Sequence, residues 1–110
     1  MKIKVCGLPF EVTGVEGGHL VSHTKERTDL YGEVSYTNES IHIDNTKSIE
    51  MINQTFWHEV MHVIVERLSI RELMTEGREH NEIAIDQLAL GVFTVLQSLS
   101  SNVIEDKGDI

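Results

Sequence analysis

Residues 58–62 read His58-Glu59-Val60-Met61-His62, an HExxH pattern set inside a run with helical periodicity. From about residue 47 to residue 68, Ile49, Ile52, Phe56, Val60, Val63 and Ile64 recur at helical spacing, and no glycine or proline interrupts them. Two side chains four residues apart lie about 40° apart around an α-helix, at about 100° per residue. Both imidazoles can then reach one metal ion from one face. Glu59 stands one step round from His58, near enough to touch a water on that ion without being a ligand. HExxH alone has three fixed positions and also describes two surface histidines beside a glutamate. The helical context and the residues that follow carry the metal reading.

On the C-terminal side, Asn81-Glu82-Ile83-Ala84-Ile85-Asp86 opens a second helical run over 81–100, with Asn81 as its N-cap candidate. Ile85, Leu88, Val92, Leu96 and Leu99 form its apolar stripe. Glu82 comes twenty residues after His62 and is the candidate third ligand. Asp86 is one turn further along the same face, placed to accept the free ring N–H of a histidine ligand and so fix its tautomer. Between the helices, Ser69-Ile70-Arg71-Glu72 has capping-box form and suggests a short helix ended by Gly77. Glu66 reads as a plain polar position. The tail, residues 101–110, is polar and acidic and is expected to fray. The alternative to a frayed tail is one folded back into the cleft, with Glu105 or Asp106 touching the metal.

On the N-terminal side the period changes to two. Residues 2–6 and 10–15 alternate polar and apolar and suggest two hairpinned strands, with Gly17-Gly18 marking a turn. His19-Leu20-Val21 could begin another strand, and residues 24–30 are polar. Gly32 to Tyr36 and Ser40 to Asp44 read as a second hairpin across Thr37-Asn38-Glu39. Asp44, Thr46 and Ser48 are candidate caps for the helix that follows. The expected fold is a single α+β domain over 1–110. A small, mostly antiparallel sheet of three or four strands in 1–44 packs on two long helices, 47–68 and 81–100.

Composition narrows the function. A net charge of −9, from nine basic against eighteen acidic residues, supplies no field for a phosphate backbone, so no nucleic-acid partner is expected. Lys25 and Arg27, and Arg67, Arg71 and Arg78, are interleaved with acidic residues and read as solvated mixed-charge faces. Only six aromatic residues are present (Phe10, Tyr31, Tyr36, Phe56, Trp57, Phe93), so the core must be mostly aliphatic. Cys6 is the sole cysteine; it can form no intramolecular disulfide, fits a reducing cytosol and reads as a buried thiol on a strand. The N-terminus lacks the apolar stretch of a signal peptide, and no run reaches the ~18 residues of a membrane span, so a cytoplasmic location and no membrane partner are expected. No GxSxG, Walker glycine loop or CxxC pair supports a serine-hydrolase, nucleotide or zinc-ribbon reading.

The pairing of His58-Glu59-Val60-Met61-His62 with Asn81-Glu82-Ile83-Ala84-Ile85-Asp86 resembles the gluzincin metallopeptidases, the thermolysin-like group with HExxH followed by NExxxD. The match covers roughly residues 47–90; so small a chain with little beyond this scaffold looks like the "minigluzincins", and short HExxH proteins of this shape also look like phage- or prophage-encoded ones. The resemblance implies a small sheet, an active-site helix and a ligand-bearing second helix. It implies one zinc ion held by His58, His62 and Glu82, Glu59 as general base and Asp86 behind the ligands. It further implies a peptide or protein substrate lying along an edge strand, within Gly32 to Tyr36 or Ser40 to Asp44. Two imidazoles and one carboxylate leave a position open to water, as catalytic zinc sites do. The departure is at the C-terminal side. Larger gluzincins carry a subdomain whose His or Tyr steadies the developing oxyanion, and here only Tyr31, Tyr36, His19, His23 and His80 are available as substitutes. The alternative function is therefore a zinc-binding regulatory or interaction protein with the same fold and little general protease activity.

Overall fold

A computed structural model describes residues 1–16, 31–67, 78–98 and 102–110. Four strands, β1 (Lys2–Val5), β2 (Leu8–Val15), β3 (Gly32–Ser35) and β4 (Ser40–Asp44), form one sheet, followed by helices α1 (Ile49–Arg67) and α2 (Arg78–Ser98). Alternation sorts the strand side chains onto two faces. Phe10, Val12, Ile41 and Ile43 are buried on the inner face, joined by the partly buried Ile3 and Val34. His42, between two fully buried isoleucines, falls on the other face, where its Nδ1 lies 3.3 Å from Glu33 Oε1 on the neighbouring strand. α1 is the middle layer: β1, β3 and β4 meet one side of it and α2 the other. The fold is a small α+β one, as the periodicities predict.

The strand order is β1-β2-β4-β3. Both expected hairpins form, β1 with β2 and β3 with β4, each antiparallel. The two hairpins join through a parallel pairing of β2 with β4, Val12 opposite Ile41 and Thr13 opposite His42. The sheet is thus mixed, and among the described strands β4 lies inside it while β3 is an edge. Pro9 sits in β2 ahead of Glu11, where the pairing with β4 begins, so its missing N–H costs no bond there.

Cys6 departs from expectation. It is exposed, in the two-residue turn between β1 and β2, not buried on a strand. Such a tight hairpin favours φ > 0 at both central residues, and Cys6 (φ 50°) and Gly7 (φ 82°) adopt it. Only Gly7 does so without steric cost.

Of the three cap candidates, Ser48 caps α1: its Oγ accepts from the Met51 N–H at 3.2 Å. Asp44 instead closes the preceding turn, accepting from the Thr46 N–H and hydroxyl at 2.9 and 2.6 Å. α2 begins at Arg78, so Asn81 lies inside the helix and is not its cap. Its buried stripe is also phased differently from the expected one: Ile85, Ala89 and Phe93 are buried, while Leu88 is 49 % exposed. Residues 87–96 are apolar on almost every side, so the period alone did not select the buried face. The expected turn at Gly17-Gly18, the strand at His19, and the short helix at Ser69 fall outside the described residues.

The C-terminal segment is not a frayed tail. Ile104 is fully buried in the main core, and Ile110 packs against that core. The reason is Asn53 of α1, itself 1 % exposed. Its amide donates to the Ile104 carbonyl at 2.7 Å and its oxygen accepts from the Ile104 N–H at 3.0 Å. A third bond goes to the Ile49 carbonyl at 2.9 Å. Asn53 therefore acts as a short piece of strand edge within a helix, satisfying both backbone groups of a residue that has no other ladder to join. Beyond it, Asp106 and Asp109 form a capping box on a short 3₁₀ turn, Lys107–Asp109. Asn53→Ala should leave the Ile104 N–H and C=O buried without partners, at roughly 1–3 kcal/mol for each group. Urea unfolding should show a loss of about 3 kcal/mol, and a loss below about 0.5 kcal/mol would mean the segment is not held this way.

Candidate metal centre

α1 turns its buried face to the sheet and another face to α2, and His58 and His62 lie on that second face, at the border with α2. Across that border, Glu82 stands in the second turn of α2. His58 Nε2 is 2.8 Å from Glu82 Oε1, His62 Nε2 is 3.2 Å from the same oxygen, and the two Nε2 atoms are 3.1 Å apart. These three residues form a group that could hold a metal ion. The dimensions suit the purpose: donor atoms around a tetrahedral ion at ~2.0–2.1 Å stand roughly 3.3 Å from one another. The ligands expected from the sequence, from two helices, thus converge on one point.

The fourth expected residue is also in place. Asp86, one turn beyond Glu82, has Oδ1 3.1 Å from His58 Nδ1. A carboxylate only accepts, so Nδ1 carries the proton and donates it. The other nitrogen of a neutral His58 ring then aims a lone pair at the Glu82 carboxylate. Two facing lone pairs 2.8 Å apart need a cation between them, a proton or a metal. Burial alone would lower the His58 pKa, but the bond to Glu82, the charges of Glu59 and Glu82 and the bond to Asp86 together hold it above the usual imidazole value. Glu82 shifts the other way: bonds from His58 and then His62 outweigh burial and hold its carboxyl far below the ordinary carboxylate range.

Glu59 is not one of the three, and it lies one step round the helix from His58. It is only 7 % exposed and lies under β3. There the strand comes very close: a Cβ on Gly32 would stand 2.6 Å from Thr55 Cγ2 and 3.2 Å from Glu59 Cγ. At the far end of the strand, Tyr36 donates its hydroxyl to the His62 carbonyl at 3.3 Å. β3 therefore runs beside the stretch of α1 that carries Glu59 and both histidines. The sequence showed Gly32 only as the start of a strand; nothing local signalled its approach to Thr55, because that contact joins residues far apart in the chain.

The remaining candidates lie apart from the cluster or outside the description. Glu66 is exposed, and among the described residues neither Glu105 nor Asp106 belongs to the metal group. His42 pairs with Glu33 on the outer face of the sheet. His19 and His23 are outside the described residues, as is the His80 side chain. No helix among the described residues is long and apolar enough to cross a membrane.

Metal uptake should follow this geometry. His58→Ala and Glu82→Ala should each abolish stoichiometric binding measured by competition with a chromogenic chelator, and Asp86→Ala should weaken it about tenfold. The metal takes the neutral imidazole, and His58 holds its proton to a higher pH than a free ring. Affinity should therefore fall about tenfold per unit as pH drops below the raised His58 value. A flat profile between pH 5.5 and 7.5 would exclude His58 as a ligand.

No protein-family model, curated protein or solved structure matches this chain, so the centre rests on its own chemistry: two imidazoles and a carboxylate, brought by two helices to one point.

Proposed function

We propose that this chain is a zinc-dependent metallopeptidase of gluzincin type. The observation that carries the reading is the convergence of His58, His62 and Glu82 beside a buried glutamate, Glu59, on the same helix. Two nitrogens and one oxygen suit zinc. A zinc ion held by these three would leave one position for water, lower that water's pKa towards ~7 and polarise a substrate carbonyl. The Glu59 carboxylate takes the proton from the attacking water and passes it to the leaving amine. Asp86 holds the His58 ring in the tautomer that presents Nε2.

The substrate side of the reading rests on β3. In its ladder with β4, the Asp44 N–H bonds the Tyr31 carbonyl at 2.8 Å. Antiparallel pairs alternate, so Glu33 and Ser35 bond to β4, while Gly32 and Val34 turn their N–H and C=O outward. No described strand pairs with that side. An extended peptide adding there would be held by main-chain bonds next to Glu59 and the two histidines. β4, the other candidate edge, is interior to the sheet.

One observation favours the second reading, a zinc-binding interaction protein that does not cleave. Tyr36, which could steady an oxyanion, gives its hydroxyl to the His62 carbonyl. The deciding variant is Glu59→Gln in the zinc-loaded protein. It should keep one equivalent of zinc and lower cleavage of a mixed peptide library about a thousandfold. Cleavage that survives this change removes the peptidase mechanism, and a zinc-loaded parent chain that cuts nothing favours the interaction reading.

A further inference from the structure

We propose that Gly32 is a positioning residue, one that sets the depth at which a peptide on the β3 edge meets Glu59 and the metal ligands. The inference rests on the reading of β3 as the peptide-binding edge. Gly32 faces α1 on the inner side of the sheet, opposite the fully buried Ile43. Its backbone approaches the helix so closely that a single methyl would overlap Thr55 Cγ2 at 2.6 Å and crowd Glu59 Cγ and the His42 carbonyl, both at 3.2 Å. Thr55 has little room to move aside, since it is buried. Gly32 needs no unusual φ, so conformational freedom is not why glycine is used here. What its missing side chain provides is proximity.

The same residue presents an outward N–H and C=O on the edge that no described strand pairs with. The height of the strand over α1 therefore becomes the height of any peptide bonded to it. Glu59 is fixed by the helix and the metal ligands by two helices, so β3 is the element whose displacement would change the distance between peptide and base. Side chains of ordinary size at Gly32 must lift the strand by roughly 1 Å, and displacements of that order cost about a hundredfold in rate when reacting groups are held for attack.

The test separates strand height from metal binding and from folding. Zinc-loaded parent, Gly32→Ala, Thr55→Ser and the double variant are titrated with acetohydroxamate, which reports the metal alone, and with an extended peptidyl hydroxamate, which adds the edge. Zinc content and thermal unfolding confirm loaded, folded protein at the assay temperature. Gly32→Ala should bind acetohydroxamate as the parent does and lose at least tenfold of the extra affinity for the peptidyl compound. In any peptide it cleaves, kcat should fall more than KM rises. Thr55→Ser deletes the methyl that a Cβ at residue 32 would strike, so the double variant should return towards the level of Thr55→Ser alone. A parent chain with no added affinity for the peptidyl compound overturns the edge reading and this role with it. Added affinity in the parent that Gly32→Ala retains, or a loss that Thr55→Ser does not relieve, overturns the role of Gly32 alone.

Discussion

α1 is buried on two sides at once, and that constraint organises the molecule. A helix between a sheet and another helix has little circumference left for chemistry. One side holds Ile52, Phe56, Val60 and Val63 against the strands. The side towards α2 brings His58 and His62 to Glu82 and Asp86. Glu59 falls between the two, under the β3 edge. The i, i+4 spacing of the histidines and the i+1 position of the glutamate thus correspond to neighbouring layers of the fold. Each functional group faces the element that completes it.

The electrostatics of the cluster follow from that packing. The carboxylate of Glu82 is drawn between two imidazoles and stays ionised, and Asp86 holds the distal proton of His58. Such a cluster could hold a cation, since the carboxylate and the imidazole nitrogens already lie together in a partly buried place. Since both carboxylates stand on α2, the α1–α2 packing sets the geometry of the cluster.

What was legible in the sequence was local. Helical spacing around His58 and strict alternation at Ser40–Asp44 each depend on neighbours a few residues away, and both elements form where the periods place them. Glu82 is matched to the histidines by its place twenty residues after His62 and by the likeness of the NExxxD run, and Asp86 by lying one helical turn beyond Glu82. The illegible parts were contacts between distant residues. The parallel pairing of Val12 with Ile41 joins two hairpins that carry no mark of each other. The buried side of α2 was obscured because Leu88, Leu90, Val92 and Val95 make several faces equally apolar. Ile104 stands alone among polar neighbours, and its partner, Asn53, reads as an unremarkable polar position until the two are seen together.

The bond between Asn53 and Ile104 also orders events in time. The two residues are separated by 51 positions, so during synthesis α1 leaves the ribosome well before the segment that completes its packing. Until residue 104 emerges, Asn53 is open to water and the core lacks one of its fully buried side chains. Contacts of such long separation form late. The helix that carries His58 and His62 therefore gains its last packing partner only when the C-terminal segment joins the core.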